Sequence, residues 1–158
     1  MNTLIAYATK YGFTKACAEM LAKKLDEKSD ICDLSSSRPN LAQYDKVIIG
    51  GSVYIGRIRK PMARFCTENL NTLKGKKLGL FICGMADGDD ARKQLESSFP
   101  TELLSAAAAK ESFGGEYDFN KMNFLERFII RKISGSDKNQ SRIIEENMTR
   151  FADQMKNA

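Results

Sequence analysis

The chain has 158 residues, 42% of them hydrophobic and 28% charged, a composition that fits one folded domain with its own core. Its net charge is +5, and it contains neither histidine nor tryptophan. The absence of histidine excludes Ser-His-Asp and Cys-His nucleophiles, histidine-ligated metals and histidine proton shuttles.

Residues 3–8 (TLIAYA) read as a strand, followed by the loop Thr9-Lys10-Tyr11-Gly12-Phe13-Thr14. Residues 14–28 read as a helix, with Ala18, Leu21, Ala22 and Leu25 at i, i+3, i+4 and i+7. A short strand is predicted at 30–34, a polar connection at 35–44, and a buried-type strand at 45–50 that runs into Gly50-Gly51-Ser52. Residues 60–73 are predicted as a helix, with Pro61 suited to its first turn. A strand at 77–83 (KLGLFIC) ends in Gly84, and a helix at 89–98 is stopped before Pro100. A fifth strand is expected within 103–113, in its alanine-rich part.

Strands alternating with helices predict an α/β fold with a parallel sheet covered on both faces. No internal repeat and no low-complexity linker divides the chain, so residues 1–158 are read as a single domain. The rhythm breaks after Phe113. About twenty residues of mixed aromatic, aliphatic and basic character separate the last strand from a helix expected at 138–155, where a short loop would suffice.

Bulk features bound the setting. No window reaches the roughly 20 apolar residues that span a bilayer, and no signal peptide is predicted. Cys17, Cys32, Cys66 and Cys83 are scattered with no CxxC, which reads as reduced packing thiols in a cytoplasmic protein. The positive charge is concentrated: six cations and two anions lie between Lys121 and Arg142, and the rest of the chain is close to neutral.

The first loop carries the clearest chemistry. It places two threonine hydroxyls and unpaired backbone N–H groups at a helix N-terminus, where an anion is favoured, and Gly12 allows close backbone approach. The bland alternative is a plain strand–helix turn with Thr14 as N-cap. Two further strand ends carry glycine-bearing loops, Gly50-Gly51-Ser52-Val53-Tyr54-Ile55-Gly56 and Cys83-Gly84-Met85-Ala86-Asp87-Gly88. Ligands of open α/β sheets bind at such carboxyl ends. The three loops together suit a ligand phosphorylated at one end and flat at the other. No P-loop and no GxGxxG motif occurs, against NTP and dinucleotide ligands. The third strand end lacks the acidic cluster that a response-regulator receiver needs.

In these loops the sequence resembles the flavodoxin family. That resemblance implies a three-layer sandwich with a five-stranded parallel sheet in the order 2-1-3-4-5, and FMN as cofactor. Thr9, Lys10, Tyr11, Gly12, Phe13 and Thr14 would hold its phosphate. Ser52, Val53, Tyr54, Ile55 and Gly56, with Cys83, Gly84, Met85 and Ala86, would enclose the ring. The chemistry would lie on FMN, with no catalytic side chain and no metal. Two departures are visible: electron-shuttling flavodoxins are usually acidic whereas this chain is basic, and Met85 stands where an aromatic residue is frequent.

The segment GGEYDFNKMNFLERFIIRKISG resembles the insertion, here about 114–137, of the flavodoxin-like menaquinone-dependent protoporphyrinogen dehydrogenases. The resemblance implies oxidation of protoporphyrinogen IX, with electrons passing through FMN to a quinone. The alternatives are a soluble electron carrier serving a redox partner protein, and a non-catalytic module that keeps the fold. Read as a helix, Met122, Leu125, Ile129 and Ile133 form one stripe and Phe124 and Phe128 a neighbouring one. Phe124, Arg127, Phe128, Arg131 and Lys132 are therefore candidates for contact with a tetrapyrrole substrate or with an anionic membrane surface. Ordinary core packing of the same helix is the competing reading. A peripheral position on the inner face of the cell membrane would follow from membrane contact. Nucleic acid is not expected as a partner, because no binding motif accompanies the basic segment. Cys83 is read as a small buried residue at the mouth of the site, and Asp87, Asp89 and Asp90 as complements to a helix dipole.

Overall fold

Strand β1 (Thr3–Ala8) is buried along its whole length, so its alternate side chains feed two different cores. In the computed structural model, which describes residues 2–136 and 138–158, Leu4, Ala6 and Ala8 pack on one side of the sheet. Ile5 and Tyr7 pack on the other.

The elements follow β1 with α1 (Phe13–Leu25), β2 (Ser29–Asp33), β3 (Lys46–Tyr54) and the two-residue β4 (Arg57–Ile58). Then come α2 (Lys60–Glu68), α3 (Leu70–Lys74), β5 (Lys77–Cys83), α4 (Gly88–Ser98), α5 (Thr101–Ala106) and β6 (Ala109–Ser112). The chain ends with β7 (Gly114–Tyr117), α6 (Phe124–Ser134), β8 (Gln140–Ile143) and α7 (Glu145–Lys156). The main sheet runs β2-β1-β3-β5-β6, with β4 folded back onto β3. Counted over its five parallel strands, this is the expected 2-1-3-4-5.

Helices α2 to α5 cover one face, through Met62, Phe65, Leu73, Leu95 and Leu103. Helices α1 and α7 cover the other, through Leu21, Leu25, Phe151 and Met155. On that second face Phe81 stacks on Phe113 at 4.5 Å between centroids, and Phe151 meets Phe113 edge-on at 5.3 Å. The stack needs Gly50: a Cβ there would lie 2.0 Å from the Phe81 ring.

Several sequence boundaries are corrected. Helix α1 stops at Leu25, where Asp26 takes a left-handed C-cap (φ 52°), short of the expected residue 28. The helix expected at 60–73 breaks into α2 and α3 at Asn69. The alanine-rich stretch is divided between α5 and the approach to β6, so the fifth parallel strand is Ala109–Ser112. The last helix begins at Glu145, not near residue 138, because Gln140–Ile143 pairs antiparallel with Gly114–Tyr117. The excursion after Phe113 therefore leaves and returns through a two-stranded ribbon. Asp137, the last residue of the expected insertion, lies outside the described residues. Among the described residues, no helix is long and apolar enough to cross a membrane.

Candidate functional site

Strand register brings the three loops together. Ala8 lies opposite Gly51, and Ser52 lies opposite Cys83, so the carboxyl ends of β1, β3 and β5 stand side by side. A cleft of about 440 Å³ opens there.

The first loop is built around its glycine. Gly12 has φ 98°, a backbone that residues with a Cβ rarely adopt, and its N–H donates to Thr9 Oγ1 at 3.0 Å. Gly12 is also the N-cap of α1, with no side-chain cap bond. Thr14 thus sits inside the first turn and does not cap it. The first intrahelical bond is Ala16 N–H to the Gly12 carbonyl, 3.1 Å. The N–H groups of Phe13, Thr14 and Lys15 precede it, as at any helix start. The Thr14 hydroxyl is buried without a hydrogen-bond partner; the Cys83 thiol lies beside it but outside hydrogen-bonding geometry. A buried orphan hydroxyl costs about 1–3 kcal/mol, a cost that an anion at this helix end would remove.

The second loop differs from its sequence reading, because β3 continues through Gly50-Gly51-Ser52 as far as Tyr54. Ile55 (φ 50°) and Gly56 (φ 71°) then make a two-residue turn that sets Tyr54 opposite Arg57. Two positive φ values are the signature of a type I′ hairpin, and a β-branched residue in that position is strained. The Ser52 hydroxyl and the Tyr54 phenol are also buried without partners. Burial, then the neighbouring Tyr117, pushes the Tyr54 phenol above its ordinary range. The Lys10 ammonium lies 4.1 Å from the Tyr54 ring centroid, a cation–π contact.

At the third loop the Cys83 thiol is held well above its ordinary range, first by burial and then by Cys17, whose thiol is its neighbour. It stays protonated and is a poor nucleophile. The proximity of Cys17 and Cys83 is a tertiary fact that their sequence separation conceals.

The excursion after Phe113 supplies the remaining wall. The Gly84 N–H donates to the Gly114 carbonyl at 2.8 Å, and a Cβ on Gly115 would lie 2.5 Å from the Gly84 carbonyl carbon. Gly115 therefore permits β7 to lie directly on the end of β5. Helix α6 is clasped to the first loop. The Tyr11 hydroxyl donates to the Glu126 carboxylate, the Lys10 ammonium sits 3.4 Å from the same oxygen, and the Lys121 ammonium donates to the Tyr11 carbonyl at 3.1 Å. Under the clasp, Phe119, Met122 and Ile130 form a small core with Tyr11, Tyr54 and Tyr117.

Of the predicted cofactor residues, Lys10, Tyr11, Phe13, Ser52, Val53, Tyr54, Ile55, Gly56, Cys83, Gly84, Met85 and Ala86 line the cleft. Thr9, Gly12 and Thr14 belong to the first loop beside it and do not line it. Sequence reasoning missed Gln94, Tyr117, Ile130, Ile133, Ser134 and Gln140, all of which line it too. None of Phe124, Arg127, Phe128, Arg131 and Lys132 lines the cleft. Arg127 Nε instead donates to the Phe119 carbonyl at 2.8 Å, and the others are exposed. The apolar stripe read from the sequence is split: Met122 is buried, Leu125 and Ile133 are exposed, and Ile130, outside the stripe, is buried. Asp87 occupies the N-cap position of α4, with Asp89 and Asp90 in the first turn; its side chain makes no cap bond there and pairs with Arg142 of β8.

The cleft thus has a helix N-terminus at one end, apolar and aromatic walls from the second and third loops, and a further wall from the segment after Phe113 with its own small core. The family described as Flavodoxin domain matches residues 4–143. The chain is 23% identical over 149 residues to protoporphyrinogen IX dehydrogenase [quinone] of Escherichia coli strain K12, covering 87% of this chain and 82% of that protein. The enzyme of the same name from Leishmania major is 22% identical over 158 residues, covering 89% of this chain and 67% of that one. Among solved structures, two-electron reduced Megasphaera elsdenii flavodoxin superposes with a TM-score of 0.60 at 17% identity, covering 99% of each chain.

Proposed function

This chain belongs to the flavodoxin domain family, and from that membership we propose that it is an FMN-dependent oxidoreductase that oxidises protoporphyrinogen IX and passes the electrons to a quinone. The residues present fit FMN. The Thr14 hydroxyl, unpartnered and buried, and the free N–H groups at the start of α1 suit its phosphate. Tyr54, Val53, Gly84 and Met85 form walls between which a flat ring can lie. When bound, FMN supplies the electron chemistry, and the protein binds, orients and shields it. Lys10, already over the Tyr54 ring, brings positive charge to the cleft.

The observation that carries the substrate reading is the inserted wall. Ile130, Ile133, Ser134, Gln140 and Tyr117 line the same cleft as the flavin loops. They narrow access for a protein partner and add apolar surface for a flat organic substrate. The chain has no histidine, so the site offers no imidazole base, and the reading assigns the electron chemistry to the flavin. The same name carried by the curated relatives supports the choice of porphyrinogen and quinone.

The test is anaerobic turnover. FMN-loaded protein is expected to oxidise protoporphyrinogen IX with menadione as acceptor, followed by the appearance of porphyrin fluorescence. No turnover, with electron delivery only to an acceptor protein after reduction by a ferredoxin or flavodoxin reductase, would make it a soluble electron carrier. Protein that neither carries nor binds flavin would refute both.

A further inference from the structure

The outer face of α6 is unused by the cleft. Phe124 is 86% exposed, Leu125 65% and Phe128 49%, and the three sit at i, i+1 and i+4 on one side of the helix. Single exposed apolar residues are unremarkable on a protein surface, but a contiguous patch with two phenyl rings marks a contact surface.

Charge decides what the surface contacts. Arg131 and Lys132 lie one turn on from Phe128, exposed, and the Lys132 ammonium rests 4.7 Å from the Phe128 ring centroid. The helix has one acidic residue, Glu126, and it is turned inward onto Lys10 and Tyr11. The outward face of α6 therefore presents phenyl rings, a leucine and cations with no carboxylate of the helix's own among them. This is the pattern of a helix that lies on an anionic bilayer, rings at the acyl boundary and cations among the headgroups.

We propose that α6 docks this face on an anionic lipid surface. The opposite side of the same helix, through Ile130 and Ser134, lines the cleft. Docking would set the cleft within about 10–12 Å of the lipid, one helix diameter, where a membrane-dissolved quinone is available. That consequence rests on the quinone reading above; the docking itself does not.

The test uses the full-length FMN-loaded protein and sedimentation with vesicles, without substrate or quinone. Wild-type protein is expected to sediment with phosphatidylglycerol–phosphatidylcholine vesicles, to be released by high salt, and to ignore pure phosphatidylcholine. Phe124→Ser with Phe128→Ser is expected to weaken binding at least about tenfold, from the lost apolar area. Arg131→Gln with Lys132→Gln is expected to cost about fivefold per cation and to flatten the salt dependence. All four side chains are exposed, so unchanged melting and flavin absorbance can confirm that the variants are folded. Wild-type protein that stays in the supernatant, or variants that bind as wild type, would overturn the proposal. So would a concentration-dependent dimer, seen by analytical ultracentrifugation, that Phe124→Ser with Phe128→Ser dissolves; that outcome would assign the face to a second copy. Failure of the oxidoreductase reading is scored separately, with menadione, a quinone that carries no isoprenoid tail, at micromolar concentration and with no vesicles.

Discussion

Replacing Thr14 by Val separates ligand binding from folding. The two side chains have nearly the same volume and similar helix propensity, so the change removes one hydroxyl. In the ligand-free protein that hydroxyl is buried with no hydrogen-bond partner. Its removal deletes an unmet desolvation cost, and Thr14→Val apoprotein is expected to be more stable by about 1 kcal/mol. For a chain of this size that corresponds to roughly 2–4 °C in Tm. FMN binding should move the opposite way. A hydrogen bond to a charged phosphate contributes about 1.5–3 kcal/mol; a loss near 2 kcal/mol weakens FMN roughly thirtyfold. Thr14→Ser keeps the hydroxyl and should retain most of the affinity. The assays are a melt of flavin-stripped protein and a titration following the quenching of FMN fluorescence. If Thr14→Val binds FMN like wild type, the hydroxyl is not a phosphate ligand, and the anion-loop assignment fails.

Other expectations follow from packing and charge. Gly115→Ala drives a Cβ to within 2.5–2.9 Å of the Gly84 backbone. We expect a loss of about 1–3 kcal/mol in urea unfolding, together with weaker FMN binding, because β7 must leave the end of β5. Glu126→Gln keeps the shape of the clasp but removes its charge. With its carboxylate largely shielded and Lys10 3.4 Å away, faster FMN dissociation, by several-fold, and faster proteolysis within residues 121–140 are expected. Equal rates in both measurements would show that the clasp does not hold the lid. Burial pushes the Cys66 thiol up to about 12 and Cys83 well above its usual range. Unfolding lets both ionise near their ordinary values, so the folded state binds the protons more tightly. Their stability contribution is complete below about pH 9 and is lost as pH rises toward 12. Tm should fall across that window, and less steeply in Cys66→Ala.

The centre of the sheet was legible because its three middle strands are buried on both faces and written as continuous apolar runs: TLIAYA, KVIIG and KLGLFIC each announce themselves. The loop Thr9–Thr14 was legible because hydroxyls, glycine and a helix start fall together. What stayed hidden depends on tertiary contact. The strand Gln140–Ile143 is exposed throughout and carries no hydrophobic alternation, so nothing local distinguishes it from a helix start. Which side of α6 faces inward was not legible, because Glu126 is drawn inward by Lys10 and Tyr11 from far along the chain. That pairing leaves Leu125 and Ile133 exposed and buries Ile130. Gln94 and Gln140 reach the cleft from separate elements, and no spacing rule connects them.

The ribbon of β7 and β8 has a consequence for the architecture as a whole. The Ile144 N–H donates to the Phe113 carbonyl at 3.0 Å, and Gly114 is paired with Ile143, so the chain returns to the point from which it departed. Everything between Gly114 and Ile143 is a closed detour whose endpoints coincide. Closing such a detour costs little more when it is lengthened, so added length at its far end is tolerated better than a change at its two coincident endpoints. The segment is an excursion from a continuous five-strand scaffold, yet its inner side is shared with that scaffold: Gly115 lies against Gly84 and Glu126 holds Lys10 and Tyr11, so a change in the excursion is felt at the strand ends beneath it.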